Sequence, residues 1–201
     1  MPHDILILPD KLLRETSKEI PRVSDETRMI FDDMLETMQL ANGIGLAAPQ
    51  IGILQRLVVI DFHYSTRYPK EDLLLAEKTL ALAKTQKIHD EKPQPKNDQK
   101  PHSLFLANPE IIYQSDETNI YAEGCLSIPN IFEDVERPKH IKLRYWDYHG
   151  KEREITADGL LATCLQHEVD HLNGKLFIDY LSPLKKNMIT KKFTKSAKAK
   201  L

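Results

Sequence analysis

Residues 166–177, "QHEVDHLNGKLF", set His167 and His171 four positions apart, with Glu168 directly after the first histidine. On a helix, at about 100° per residue, the two imidazoles project from one face a turn apart, and Glu168 sits about 100° round from His167. Two imidazoles so placed can meet one divalent ion. A carboxylate beside them can handle the proton of a bound water without being a ligand. The surrounding stretch, Gly159 to Leu172, contains no breaker and is apolar nearly all round through Leu160, Leu161, Ala162, Leu165 and Val169. That composition marks a helix buried in the core. Two histidines and the acids Glu168 and Asp170 are costly to bury without pairing or a metal, so a metal site is favoured over a structural histidine pair.

A catalytic metal takes about three protein ligands and keeps one open position. The chain has two cysteines to offer as the third ligand. Cys164 shares the helix, but an ion between the histidines lies about 7 Å from it along the axis, while a cysteine side chain plus a metal–sulfur bond spans about 5 Å. It reads instead as a small buried thiol flanking the site. Cys125, in "YAEGCLSIP", can approach from across the site, and the flanking Gly124 and Pro129 suit a strand that bends or bulges there. Cys, His, His and an exchangeable fourth position make a hydrolytic arrangement. A further stretch, "NGIGLAAPQIG" at 42–52, lacks the later Gly, Lys or Ser/Thr of a nucleotide loop. Gly43 and Gly45 better suit backbone beside which a substrate strand can lie, with the Gln50 amide as a nearby donor.

These residues need a scaffold. At 201 residues and 41% hydrophobic, the chain can bury the core of one domain. Residues 5–8, "ILIL", closed by Pro9, read as a short strand. Asp25 to Ala41 reads as a helix capped by Ser24, with Ile30, Met34 and Met38 as its buried stripe. "RLVVIDF" at 56–62 suits a strand buried on both faces, and "SLFLANPEII" and "HIKLRYWDYHG" continue the strand texture. Residues 69–88 are strong helix formers opened by Pro69, and residues 89–102, charged and proline-bearing, read as a mobile surface loop. Two cysteines are too few for a disulfide framework. No apolar run of membrane length occurs, and the N-terminus carries acids where a signal peptide would carry a basic segment and an apolar run, so a cytoplasmic protein outside the membrane is expected. The net charge of −2 argues nothing about partners.

"GIGLAAPQ" (43–50), "EGCLS" (123–127) and "QHEVDH" (166–171), in this order, resemble the three motifs of the peptide deformylases, and the similarity runs from "ILILPDKLLR" to "GKLFIDYLSPLK". The resemblance implies an α+β fold, with antiparallel β-sheets packed around a central H-E-x-x-H helix, an N-terminal helix and a C-terminal helix. It implies a single domain over 1–201, interrupted by an inserted helix and loop at about 64–102, for which surface decoration is the expected role. The implied activity removes the N-formyl group from formyl-methionine of newly made polypeptides, releasing formate. Metal ligation falls on Cys125, His167 and His171, acid/base work on Glu168, and oxyanion donation on the Gln50 side chain and the Leu126 backbone N–H. Ile44, Tyr121, Leu160 and Cys164 are the implied walls of a methionine pocket, with Gly43, Gly45, Glu123 and Gly124 along the substrate. Glu123 with Arg137 is a candidate support pair, and Asp170 is either a further support or an ordinary helix acid.

The implied cofactor is one divalent ion per chain, Fe2+ in the cell, with Zn2+, Ni2+ or Co2+ as alternatives, since thiolate softness does not decide between them. The implied partners are formyl-Met nascent peptides and, through the lysine-rich C-terminus, the ribosome; the chain is expected to be a monomer. One departure stands out: many bacterial members carry a substrate-facing Arg where this chain has Phe132. Two rivals fit less well. A metallopeptidase would take a third His or Glu ligand downstream of the motif, yet no His follows His171. A non-catalytic metal module would fill its fourth position with protein and would not need Glu168.

Overall fold

The computed structural model describes residues 1–63, 68–85 and 103–198. The Ser24 hydroxyl accepts the Thr27 backbone N–H while the Thr27 side chain reaches back to the Ser24 N–H, and this reciprocal cap starts α1, Asp25–Leu40. Its core face is Phe31, Met34, Leu35 and Met38; Ile30 lies only half-buried on the flank of that face. The strands are β1 (Gly45–Ala47), β2 (Leu57–Asp61), β3 (Ser103–Gln114), β4 (Thr118–Cys125), β5 (Ile128–Pro138), β6 (His140–Trp146) and β7 (Glu152–Asp158). The remaining long helices are α2 (Lys70–Thr85), α3 (Gly159–Leu172) and α4 (Pro183–Lys198).

Five strands form one antiparallel sheet in the order β1-β2-β3-β6-β7, and β4 and β5 form a separate antiparallel ribbon. Side chains alternate across the sheet, and the two faces meet different helices. Leu57, Val59, Phe105 and Ala107 face α1, while Val58, Ile60, Leu104 and Leu106 face α3. This double burial is why β2 is a continuous apolar run. A third cluster joins the β4–β5 ribbon to the C-terminus, where Ile128, Val135, Phe177 and Ile189 close over the segment that carries Cys125. The fold is therefore α+β with α3 at its centre.

Two expectations are corrected. Residues 5–8 form no strand: the Leu6 N–H donates to the Gln50 carbonyl (2.8 Å) and the Leu8 N–H to the Ser127 carbonyl (2.9 Å). The two amides go to two different segments, so no ladder forms, and the segment straps two motifs together. The inserted helix α2 is not surface decoration either. Leu73, Ala76 and Leu80 are buried in the same cluster as Leu160, Leu161 and Leu165 of α3. The 89–102 stretch read as a mobile loop lies outside the described residues.

Candidate active site

Helix α3 is buried along its length from Leu160 to Leu172, so its histidines reach the site without solvent around them. His167 Nδ1 lies 2.8 Å from Glu123 Oε2 on β4, which leaves Nε2 to face the site. Glu123 is itself held by Arg137 of β5, through Nε and through Nη2 at 3.0 Å, and Arg137 Nη1 donates to Asp170 Oδ2 at 2.8 Å. The Tyr180 ring covers the guanidinium, with Cζ 4.6 Å from the ring centroid. A buried chain Asp170–Arg137–Glu123–His167 thus fixes one imidazole from behind. Burial pushes the Glu123 carboxyl up, but the hydrogen bonds from His167 and Arg137 outweigh it and hold the pKa below its usual value. Glu123, expected along the substrate, lines the pocket, yet its carboxylate is engaged by these two partners.

Cys125 arrives at the end of β4, where the register slips between Gly124 and Cys125, as the Gly and Pro around it suggested. Its Sγ lies 3.2 Å from His171 Nε2, and donor atoms of Cys125, His167 and His171 all fall within 4.8 Å of one another. All three are buried. His171 Nδ1 and Glu168 Oε2 are buried without hydrogen-bond partners. A soft thiolate, two imidazoles and an unpartnered carboxylate oxygen beside them are what a divalent ion with its water would satisfy, so the residues fit a metal. Cys164 stays outside this group; burial, then the charge of Glu168, raises its pKa well above the usual range, so it remains a thiol.

Burial also raises Glu168, to about 7, a value suited to taking and returning a proton near neutrality. Gly45 makes room for it. A Cβ there would collide with the Glu168 carboxylate and stand 3.0 Å from Cys164 Sγ. Gln50 accepts the Ala47 N–H at Oε1 (2.8 Å), which turns Nε2 toward Ser127 Oγ (3.2 Å) and Cys125 Sγ (3.4 Å). Leu126 follows in the turn from β4 to β5 and packs on Gly43, where a Cβ would lie 2.8 Å from its Cδ1.

One pocket gathers Gly43, Ile44, Gly45, Gln50, Glu123, Gly124, Cys125, Leu126, His167 and Glu168 of the three motifs together with the expected wall residues Leu160 and Cys164. His171 is not among the lining residues, though its Nε2 lies 3.2 Å from the Sγ of Cys125, which is. Tyr121 is not among the lining residues: it packs against the core, its hydroxyl 3.3 Å from the point that a Gly159 Cβ would occupy. Sequence reasoning missed two lining residues, Thr163 and Tyr68. Thr163 carried a signal, since 160, 163, 164 and 167 share one helical face. Tyr68 carried none, because only the docking of α2 brings it there.

The sequence pattern of the family described as polypeptide deformylase matches residues 2–187. A peptide deformylase of Bartonella tribocorum is 49% identical over 198 residues, covering 98% of this chain and 94% of that protein. One from Bradyrhizobium diazoefficiens is 47% identical, covering 98% and 97%. The crystal structure of peptide deformylase from Ehrlichia chaffeensis superposes with a TM-score of 0.77 at 35% identity, covering 100% of this chain and 99% of that one.

Proposed function

The chain belongs to the polypeptide deformylase family, and we propose that Cys125, His167 and His171 hold its divalent ion while Glu168, Gln50 and Leu126 carry the chemistry. As a member of that family it is a hydrolase that removes the N-formyl group from nascent peptides. The observation that carries the site assignment is the convergence of three buried ligand atoms beside a buried, half-unpartnered Glu168 at the floor of one pocket.

When bound, the ion supplies Lewis acidity, lowering the pKa of water and polarising the formyl carbonyl. Glu168, raised by burial to about 7 and so still available in its ionised form near neutrality, takes the proton of the attacking water and returns it to the departing amine. Charge developing on the formyl oxygen meets the Gln50 Nε2–H and the Leu126 backbone N–H, each donor worth about 3 kcal/mol of barrier. Gln50 is oriented in advance by its bond to the Ala47 N–H, so its donor needs no reorganisation. Strand β1 is an edge of the sheet with Gly43–Gly45 at its start, and a substrate backbone can pair there as an added strand. At Phe132 the residue facing downstream substrate is apolar, and its ring lies where a Gly124 Cβ would have to be.

Fe2+ is the ion proposed for the cell, with Zn2+, Ni2+ or Co2+ able to occupy the same donors. Formyl-methionine is the proposed first residue, a monomer the proposed state, and the cytoplasm the proposed compartment; no described helix is long and apolar enough to cross a membrane. The basic α4 is the proposed contact with the ribosome. The test is formate release from a formyl-Met tripeptide by anaerobically prepared iron-loaded protein. Glu168→Gln should hold equal metal and turn over at least about a hundredfold more slowly. Absence of formate together with internal cleavage of unformylated peptides would overturn the deformylase assignment, and near-normal turnover by Glu168→Gln would remove Glu168 from the mechanism.

A further inference from the structure

We propose that Tyr68, delivered to the pocket by the inserted segment, is a specificity-determining wall for the first side chain of the formylated peptide. This rests on the deformylase reading and goes beyond it, because the three motifs that define the site do not contain Tyr68. The residue lines the same pocket as Ile44, Leu160, Thr163 and Cys164, half-buried against the core that contains α3. Its backbone is tied down on the far side. Pro69 opens α2, the Leu73 N–H donates to the Pro69 carbonyl at 3.1 Å, and Leu73, Ala76 and Leu80 anchor the helix against α3 and β7. A ring held next to the first turn of a docked helix is a fixed wall, at little entropic expense per substrate bound.

The placement of Tyr121 supports the same conclusion. The family resemblance makes it a pocket wall, yet it is absent from the lining, with its hydroxyl against Gly159 at the start of α3. Burial, then the carboxylates of Asp72 on α2 and Asp158 at the end of β7, raise its hydroxyl pKa. Tyr68 of the insertion, and not Tyr121, is the aromatic residue on the pocket lining. An aromatic face suits a methionine side chain: it adds apolar contact and a sulfur–aromatic interaction, and it excludes water from the pocket. A first residue ending at Cβ reaches little of that face.

The experiment compares kcat/KM of iron-loaded protein for formyl-Met-Ala-Ser and formyl-Ala-Ala-Ser, in the wild type and in Tyr68→Phe, Tyr68→Leu and Tyr68→Ala. Tyr68→Ala should lose about tenfold of the preference for Met over Ala, chiefly through KM on the Met peptide, with metal content kept. Tyr68→Phe should keep the preference, and Tyr68→Leu should fall between. Unchanged selectivity in Tyr68→Ala, or an equal loss on both peptides, overturns the proposal. If Tyr68→Ala does not fold, the Phe-to-Leu step carries the same decision, because Leu keeps apolar bulk and lacks the ring. Failure of the wild type to deformylate either peptide would instead sink the deformylase reading, a distinct outcome.

Discussion

Two buried cysteines flank the same histidines, and only their reach separates a ligand from a packing residue. Cys125 Sγ lies 3.2 Å from His171 Nε2, while Cys164, on α3 itself, touches the space above Gly45 and keeps its proton because burial disfavours the thiolate. Cys125→Ala should therefore lose metal and turnover together. Cys164→Ala should keep its metal and lose at most about tenfold in turnover, since it removes one polarisable wall atom from the pocket. Metal content of both purified variants decides the matter, and bound metal in Cys125→Ala with none in Cys164→Ala would reverse the assignment. At this scale much was legible in the sequence: the His–Glu–x–x–His spacing fixes side-chain direction on any helix, and axial rise alone separates the two thiols. The groups that hold the ligands were legible only as candidates, Glu123 with Arg137 as a support pair and Asp170 as a further support or an ordinary helix acid, and their joining into one chain was not. Asp170, Arg137 and Glu123 come from α3, β5 and β4, and no local periodicity shows that Arg137 reaches both carboxylates.

At the scale of elements, the helices and strands that carry their own signals appear where those signals place them. α1 has its cap, α3 its unbroken apolar run, and β2 the composition of a doubly buried strand. Elements whose role depends on distant partners were not legible. Residues 5–8 have strand composition but give their amides to Gln50 and Ser127, and α2 reads as an exposed helix until its Leu73, Ala76 and Leu80 meet α3. Another junction of this kind is Asp179, which accepts from Arg14 and from the Leu176 N–H (2.9 Å) and forms an ion pair with Lys186 of α4 (2.8 Å). Burial raises its pKa, but the bond from Arg14, the Leu176 N–H and Lys186 together bring it below the usual 3.8. A depressed carboxyl contributes stability above its unfolded pKa and loses it as pH falls through the folded value. Asp179→Asn should thus melt lower at pH 7 by about 2–4 °C, corresponding to about 1 kcal/mol after screening at a half-exposed site. The gap should close as pH falls below 3.8 and through the depressed folded value. A gap that persists undiminished in acid would show that packing, and not the charge, ties α4 down.

For the whole molecule, the question is whether the basic C-terminus docks or merely caps the fold. From Ser182 to Leu201 the sequence has seven lysines and no acid, against a chain total of −2. The structure divides that segment by face. Ile189 is buried and Phe193 half-buried on the cluster that includes Cys125, Ile128 and Phe177, so one face of α4 is part of the core next to a proposed metal ligand. Deleting the helix would uncover that cluster, at a cost of about 2 kcal/mol or more, and would confound docking with stability. Lys185 and Lys186 are paired with Glu133 (2.5 Å) and Asp179 (2.8 Å). Leu184, Met188, Lys191 and Lys195 follow helical spacing along the exposed side, two apolar residues and then two basic ones. A surface rich in RNA phosphate would gain affinity from such lysines by counterion release, steeply weakened by salt. The double variant Lys191→Glu/Lys195→Glu leaves Ile189 and both ion pairs in place. It should turn over a short formyl peptide at the wild-type rate, co-sediment less with ribosomes at low salt, and show a salt dependence shallower by about one to two units of log–log slope. Identical sedimentation of variant and wild type across the salt series would leave α4 as a structural cap and end the ribosome assignment.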